Sequence, residues 1–512
     1  MKKFVFAFLT GAAGLAQTSL SPTTMPRMAV VDERFQSFNV EMVEVTGGRF
    51  WKPFGKDVDA ILNAPKAAGG PVGMDPNLYQ NRPPIDLYNP RLRKLATALG
   101  PAYVRVSGTW ANSTYFGNTE PAPDGFGSVL KQAQWKGIVD FSKAVDAKIV
   151  TSFATSAGTR DKSGTWTPAQ AQAFLDYNKS IGGNIAAAEF MNEPTFAEMG
   201  GAPKGYDAAA YARDLKVFLP FIRKSALGLI VLGPGSVGEG ISIVPPSMGI
   251  HLLTTEDLLT ATGPVFDAFS YHFYGTVSKR CAGGVPGAGT TPAAALSSEW
   301  LSRTAKVEEF YSRLRDKFMP GKPIWLTETA DTACGGNPWG STFLDSFRYL
   351  NQLGILAQKG VQVVAHNTLA SSDYGLIDEN TFTPRPNYWS AVLWRRLMGT
   401  TVLNPGPTTP DMTHVYAQCL RGQPGGVALL IINADRTGAR TMKVPRASVR
   451  YTLTAQTLES GTVRLNGVEL KLGAKDELPE LTGVPAKAGE LRFAPASITF
   501  LALPHAHNNS CK

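Results

Sequence analysis

The sequence predicts an α/β protein, a (β/α)8 barrel followed by a β-sandwich domain. Two patterns carry this prediction. From Phe38 onward, short apolar runs of strand length alternate with segments whose apolar residues recur at helical spacing, and the runs number eight. After about Gly399 the alternation stops, and short strand-like runs follow one another between Gly, Pro and Asn turns. Eight strand–helix units over roughly 350 residues is the arithmetic of a closed parallel barrel. A doubly wound sheet is the rival, but no GxGxxG follows the first run, so the nucleotide fingerprint of that fold is missing.

In chain order, Lys2 and Lys3 precede an apolar stretch over 4–15, and Gly14-Leu15-Ala16 offers small residues at a cleavage site. This predicts a signal peptide over 1–16 and a periplasmic or secreted protein. Residues 17–37 are polar and proline-marked with one short apolar piece, and are expected to pack on the β-domain. The barrel is expected over 38–398, with strands at 38–45, 103–107, 149–154, 185–191, 229–233, 266–274, 324–329 and 361–367. Helical segments fall at 89–96, 135–145, 167–181, 208–224, 299–318 and 342–358. Pro90 suits a first helical turn, and Thr167-Pro168 reads as an N-cap followed by proline. The β-domain is expected over 399–512, with strands at 415–419, 427–432, 450–455, 463–465 and 497–503.

A chain of 512 residues, 43% hydrophobic and 18% charged, has ample material for a large core. No later stretch reaches about 18 uninterrupted apolar residues, so no membrane span is expected. The net charge of +9 is spread along the chain without a long Lys/Arg run. Nucleic acid is therefore not expected as a partner, and a polyanionic saccharide suits the charge. A monomer is expected. The four cysteines allow three pairings, among which spacing does not choose. None lies in a CxxC pair, and with six histidines and no HExxH no metal or cofactor is expected.

The chemistry concentrates at two strand ends. AAAEFMNEPTF begins as a strand buried on both faces and ends in Asn192-Glu193-Pro194, where proline stops the strand. Ile324-Trp325-Leu326-Thr327-Glu328-Thr329 places Glu328 at the end of the seventh run. Ends of barrel strands form the ligand-binding mouth, so the two carboxylates face each other across it. Glycosidic cleavage needs such a pair, one protonated to release the leaving oxygen and one ionised to attack the anomeric carbon. A separation of about 5–5.5 Å would mean retention through a covalent intermediate. Charge on Glu328 is expected to raise the pKa of Glu193. Glu198 and Asp331 read as solvated or hydrogen-bonded loop carboxylates.

Several motifs then match one family in order. They are Asn89-Pro90-Arg91-Leu92-Arg93-Lys94-Leu95-Ala96, Pro101-Ala102-Tyr103-Val104-Arg105-Val106-Ser107-Gly108-Thr109, Trp325-Leu326-Thr327-Glu328-Thr329, Tyr374-Gly375-Leu376-Ile377-Asp378-Glu379-Asn380 and Asn387-Tyr388-Trp389. With them the chain resembles glycoside hydrolase family 79, the β-glucuronidases and heparanases, from about Phe35 to Cys511. The resemblance implies a retaining hydrolase of β-D-glucuronide linkages, with Glu193 as acid/base, Glu328 as nucleophile and Asn192 on the sugar 2-hydroxyl. It implies substrate contacts from Glu41, His272, Tyr274, Gly335, Gly336 and Tyr374, with Tyr274 orienting the nucleophile. The glycine amides and the Tyr374 hydroxyl would hold the uronate carboxylate. It also implies a Cys419–Cys511 disulfide, leaving Cys281 and Cys334 for a second bridge beside the site. Cys334 stands where the family has tyrosine, and His366 where it has glutamine. No excised linker intervenes between Phe116 and Trp135, so a single active chain is implied. The substrate implied is a β-glucuronide saccharide, heparan sulfate or another uronate-containing polysaccharide. Other β-glycosidase specificities and an inactive glycosaminoglycan-binding relative stand as alternatives.

Overall fold

A computed structural model describes residues 19–64, 75–241, 252–282, 289–407 and 412–512. The expected signal peptide over 1–16 lies outside the described residues. Eight parallel strands close into a barrel: Gln36–Glu41, Ala102–Ser107, Ala147–Ser152, Ile185–Glu189, Ile230–Ser236, Ala268–Tyr274, Ile324–Ala330 and Val363–His366. All eight predicted runs are barrel strands, in sequence order. The first ends earlier than predicted because Glu44 accepts the Glu41 amide at 2.7 Å and opens a short helix over Met42–Thr46.

Side chains alternate between the outside and the inside of each strand. The inward set therefore stacks in layers. Tyr103, Val150, Ala187, Leu232, Ala268, Trp325 and Val363 form an apolar plug in the lower barrel. Two residues further along their strands stand Arg105, Glu189, Ser270 and Thr327, and these form a polar layer directly beneath the mouth. No described helix is long and apolar enough to cross a membrane.

The helices surround the barrel as amphipathic covers. Pro90–Thr97 buries Leu92, Leu95 and Ala96, and the Asn89 side chain accepts the Arg91 and Leu92 amides at its N-terminus. The expected Thr167 cap is not formed. Pro168 occupies the N-cap position, the helix runs Ala169–Ser180, and the Thr167 hydroxyl donates instead to the Thr159 carbonyl at 2.8 Å.

Beyond the barrel, the major sheet has nine antiparallel strands. Thr413–Leu420, Val427–Asn433, Ser448–Thr454 and Ser497–Leu503 form its middle. Met398–Leu403 extends it to Arg27–Val30, so residues before the barrel form an edge of this sheet. A second layer, Arg440–Val444 paired with Gly489–Phe493, covers one face through Met442, Val444 and Phe493. The other face lies on barrel helices. There Tyr416 donates to Asn351 Oδ1 at 2.7 Å, and its ring lies against Gly354. With both faces covered, every residue of Val427–Asn433 is buried. Both disulfides form, Cys281–Cys334 and Cys419–Cys511.

A Cβ on Gly354 would sit 2.4 Å from the Tyr416 ring, on a ring held in place at both ends. Gly354→Val should therefore lower stability by about 1–3 kcal/mol through overpacking. Urea unfolding followed by fluorescence measures this, and an unchanged midpoint would contradict the packing described.

Candidate active site

The polar layer is organised by Arg105, 2% exposed at the centre of the barrel. Its Nη1 donates to Glu328 Oε2 at 2.7 Å, and its Nη2 donates to Glu189 Oε2 and to Asn192 Oδ1, each at 2.8 Å. Nε adds a bond to Glu189 Oε2 at 3.2 Å. Burial of Glu189 by itself favours its neutral form, but Arg105 and then His272 outweigh it and hold the carboxyl below its usual range. Ser270 and Thr327 hydroxyls, each at 2.8 Å, satisfy the other Glu189 oxygen.

Glu328 reaches this layer through a bulge. Tyr271 pairs with Leu326 but His272 pairs with Glu328, so one extra residue is inserted in the seventh strand. Thr327 and Glu328 consequently both face the interior. Asn39 Nδ2 donates to the Thr327 carbonyl at 3.2 Å and supports the bulged backbone. Tyr274 donates to Glu328 Oε1 at 2.7 Å, so both carboxylate oxygens are held by donors.

Glu193 follows the fourth strand in the left-handed region, with φ 48° and ψ 62°. A residue before proline is disfavoured in the right-handed helical region, and holding a non-glycine here costs about 1–3 kcal/mol. The turn brings Glu193 Oε1 to 3.0 Å from His272 Nδ1. The other ring nitrogen, Nε2, lies 3.2 Å from Arg105 Nη2, which can only donate. Nε2 is therefore the acceptor, and Nδ1 carries the hydrogen toward Glu193. Burial pushes His272 down to about 4, so the ring is neutral at pH 7.

One oxygen of Glu193 and one of Glu328 lie within 4.8 Å of each other and of a His272 nitrogen. This is the close spacing of a retaining pair; an inverting pair is about 6.5–9.5 Å apart. Burial raises Glu193 to about 7, with Arg105 opposing and the charge of Glu189 adding to it. The expected cause was the charge of Glu328. Burial is the larger one, and the nearby charge that contributes belongs to Glu189, a residue the sequence reading passed over.

Asn192 is 1% exposed, and Asn112 holds its backbone from both sides, at 2.8 and 2.9 Å. Its Nδ2 has no hydrogen-bond partner among the described residues. Asn367 Nδ2 lies 2.9 Å from Glu41 Oε1, 3.1 Å from the Tyr274 oxygen and 3.2 Å from the Tyr374 oxygen. It thereby links three of the expected residues. Glu41 Oε2 has no donor among the described residues. Burial first, and then the charge of Glu328, raise the Glu41 carboxyl well above its usual range. Tyr374 is likewise raised by burial and stays a neutral donor. His366, in place of the family glutamine, is 2.8 Å from the Tyr374 carbonyl through Nε2 and is lowered by burial to about 3.

Gly336 lies against Tyr374 and Gly335 against Ser372 and Trp51, with φ of 81° at both positions. A Cβ on Gly336 would meet the Tyr374 amide at 2.9 Å, so the close approach requires glycine. Both residues are buried, and among the described residues neither amide N–H has an acceptor. Asp331, read from sequence as a loop carboxylate, is buried and accepts the Asn337 amide at 3.0 Å, with burial raising it to about 7. Glu198 is exposed and accepts the Gly205 amide at 2.6 Å.

No protein-family model matches the chain. It is 28% identical over 488 residues to heparanase-like protein 1 of Arabidopsis thaliana, covering 83% of this chain and 86% of that protein. Over 494 residues it is 28% identical to heparanase of Mus musculus, covering 83% and 88%. Hyaluronoglucuronidase of Hirudo nipponia is 26% identical over 486 residues, with 84% and 92% covered. Over most of its length the chain is thus similar to heparanases and a hyaluronoglucuronidase, the class of protein that its motifs resemble. A solved 4-O-α-L-rhamnosyl-β-D-glucuronidase from Fusarium oxysporum superposes with a TM-score of 0.62 at 12% identity, covering 94% of this chain and all of that one. An α-L-arabinofuranosidase from Thermotoga maritima gives 0.61 at 13% identity, covering 95% and 99%. At these identities the superpositions speak for the fold alone. Arg105, Glu189, Asn112 and Asn367 are the residues of this site that the sequence patterns did not single out.

A carboxyl titrating near 7 is a proton donor whose proton is present below that pH and lost above it. We expect kcat/KM for a glycoside to fall about tenfold per pH unit above neutrality, with the limb removed in Glu193→Gln. A wild-type profile that stays flat to about pH 9 would contradict Glu193 as that donor.

Proposed function

We propose that the protein is a retaining β-D-glucuronidase acting on a uronate-containing polysaccharide, of which heparan sulfate is the type suited to its charge. One observation carries the reading. The close Glu193–Glu328 pair is joined through Tyr274 and Asn367 to Tyr374, which packs on a glycine turn whose two amides have no acceptor among the described residues. A carboxylate on the sugar ring would satisfy those amides and the Tyr374 hydroxyl without placing a second full charge beside Glu328. The relatives named heparanase and hyaluronoglucuronidase support the same substrate class.

The reaction then runs in two displacements. Glu328, clasped by Arg105 and Tyr274, attacks the anomeric carbon while Glu193 delivers its proton to the departing glycosidic oxygen. His272 Nδ1–H holds one Glu193 oxygen, which leaves the proton on the other oxygen, toward the leaving group. In the second step Glu193, now a carboxylate, takes a proton from water as that water attacks the same carbon. The bond to Glu328 breaks, and the sugar leaves with its β configuration retained. Asn192 Nδ2, otherwise unpartnered, is placed to donate to the 2-hydroxyl. We further propose that the protein is exported and works as a monomer.

Digestion of heparan sulfate and of 4-nitrophenyl β-D-glucuronide tests the reading. Shortened internal fragments would mean endo action, and free glucuronate alone would mean exo action. Turnover of neither, with hydrolysis of an aryl glucoside instead, would overturn it. Glu328→Ala should abolish turnover on both substrates, and appreciable residual activity would sink the nucleophile assignment. Glu193→Gln should lower kcat by about 10²–10⁴-fold on substrates with poor leaving groups.

A further inference from the structure

Arg280 is a buried cation outside the catalytic centre. It follows the sixth barrel strand, is 1% exposed, and has all five of its N–H groups in use. Nη1 donates to the Cys334 carbonyl at 3.1 Å and the Gly336 carbonyl at 2.9 Å. Nε and Nη2 donate to the Lys52 carbonyl at 3.2 and 2.6 Å, and Nη2 is also paired with Asp373. The Phe54 ring covers the guanidinium, 3.9 Å from its carbon. Having no donor left, this side chain has nothing to offer a substrate directly.

What it does is set the direction of peptide planes. In a trans peptide the N–H points opposite to the carbonyl of the same unit. The Cys334 carbonyl faces Arg280, so the Gly335 N–H faces away from it. The Gly335 carbonyl accepts the Asp373 amide at 3.1 Å and the Ser372 hydroxyl at 2.9 Å, so the Gly336 N–H faces away from that loop. Positive φ at three successive residues, 64° at Cys334 and 81° at both glycines, curls the backbone tightly at this turn, a conformation that glycine adopts readily. The neighbouring residue Cys281 is bonded to Cys334, and Ser278 Oγ donates to the Cys334 carbonyl at 3.0 Å. The guanidinium and the disulfide thus grip the same turn from one short segment.

We infer that Arg280 is the positioning residue for uronate selection, fixing the 334–336 turn so that the Gly335 and Gly336 amides present themselves to the substrate carboxylate. This rests on the glucuronidase reading above and assigns its selectivity to a residue that does not touch the sugar. Lysine is a poor substitute, since one ammonium cannot span two carbonyls, a third carbonyl and a carboxylate as the planar fork does.

The test compares wild type, Arg280→Lys and Arg280→Met on 4-nitrophenyl β-D-glucuronide and 4-nitrophenyl β-D-glucoside, with free D-glucuronate as competitive inhibitor. Arg280→Met should raise KM for the glucuronide and the inhibition constant of glucuronate by about tenfold or more, with kcat nearly unchanged. Arg280→Lys should fall between, and activity on the glucoside, which lacks the carboxylate, should stay within a small factor of wild type. Unchanged KM and inhibition constant in Arg280→Met, or equal losses on both substrates, would overturn the assignment while leaving the glucuronidase reading intact. Should Arg280→Met fail to fold, as judged by circular dichroism, the same constants in Arg280→Lys decide. Wild-type protein that prefers the glucoside would sink both.

Discussion

A buried guanidinium governs the catalytic end of this barrel. Arg105 lies between Glu189 and Glu328 with almost no access to water, and its ion pairs with them outweigh the cost of its own burial. Charges taken out of water are tolerated only when paired and fully hydrogen-bonded, and here each neighbour supplies a further tie. Glu189 has two hydroxyls, Glu328 has Tyr274, and Asn192 is gripped by Asn112. The same cation selects the His272 tautomer. One side chain therefore fixes the orientation of the Glu328 carboxylate and the direction of a hydrogen bond to the Glu193 carboxyl.

That arrangement gives two glutamates at the same mouth different surroundings. Glu328 sits against a cation and a phenol, while Glu193 faces a neutral imidazole and is kept protonated by burial. Environment, and not residue type, separates the two, as the proposed pairing of an acid with a nucleophile requires. The bulge at Thr327 and the left-handed turn at Glu193 are the backbone devices that bring the two carboxyls together. Each departs from regular geometry at a strand end, where a barrel can absorb the change without losing its ladder.

Much of this was legible in the sequence. Eight apolar runs became the eight barrel strands because a parallel strand buried on both faces must be apolar along its length. Glu193 and Glu328 stood out as charges at the ends of such runs. Arg105 and Glu189 did not, although each is a charge inside one. A lone charge within an apolar run reads as tolerable noise until the closed barrel shows that Arg105 and Glu189 occupy one layer. Asn112 and Asn367 carried no signal, since their work depends on neighbours distant in sequence. Strands 398–403, 440–444 and 489–493 escaped because half their residues face solvent or a small second layer, which dilutes the apolar pattern. The Thr167 cap failed for a local reason, its hydroxyl being taken by Thr159.

The change of rhythm near Gly399 marks a change of architecture, yet it is a poor place to cut the molecule. The nine-stranded sheet takes its edge from residues that precede the barrel and rests one face on barrel helices. Asn508 near the far end donates to the carbonyls of Pro22 and Met25, closing the circuit. A fragment holding only the barrel would bare the helix surface around Asn351 and Gly354. One holding only the later strands would lose its outer edge and the support beneath Tyr416. The two architectures share a single boundary layer, so they should melt together as one cooperative unit.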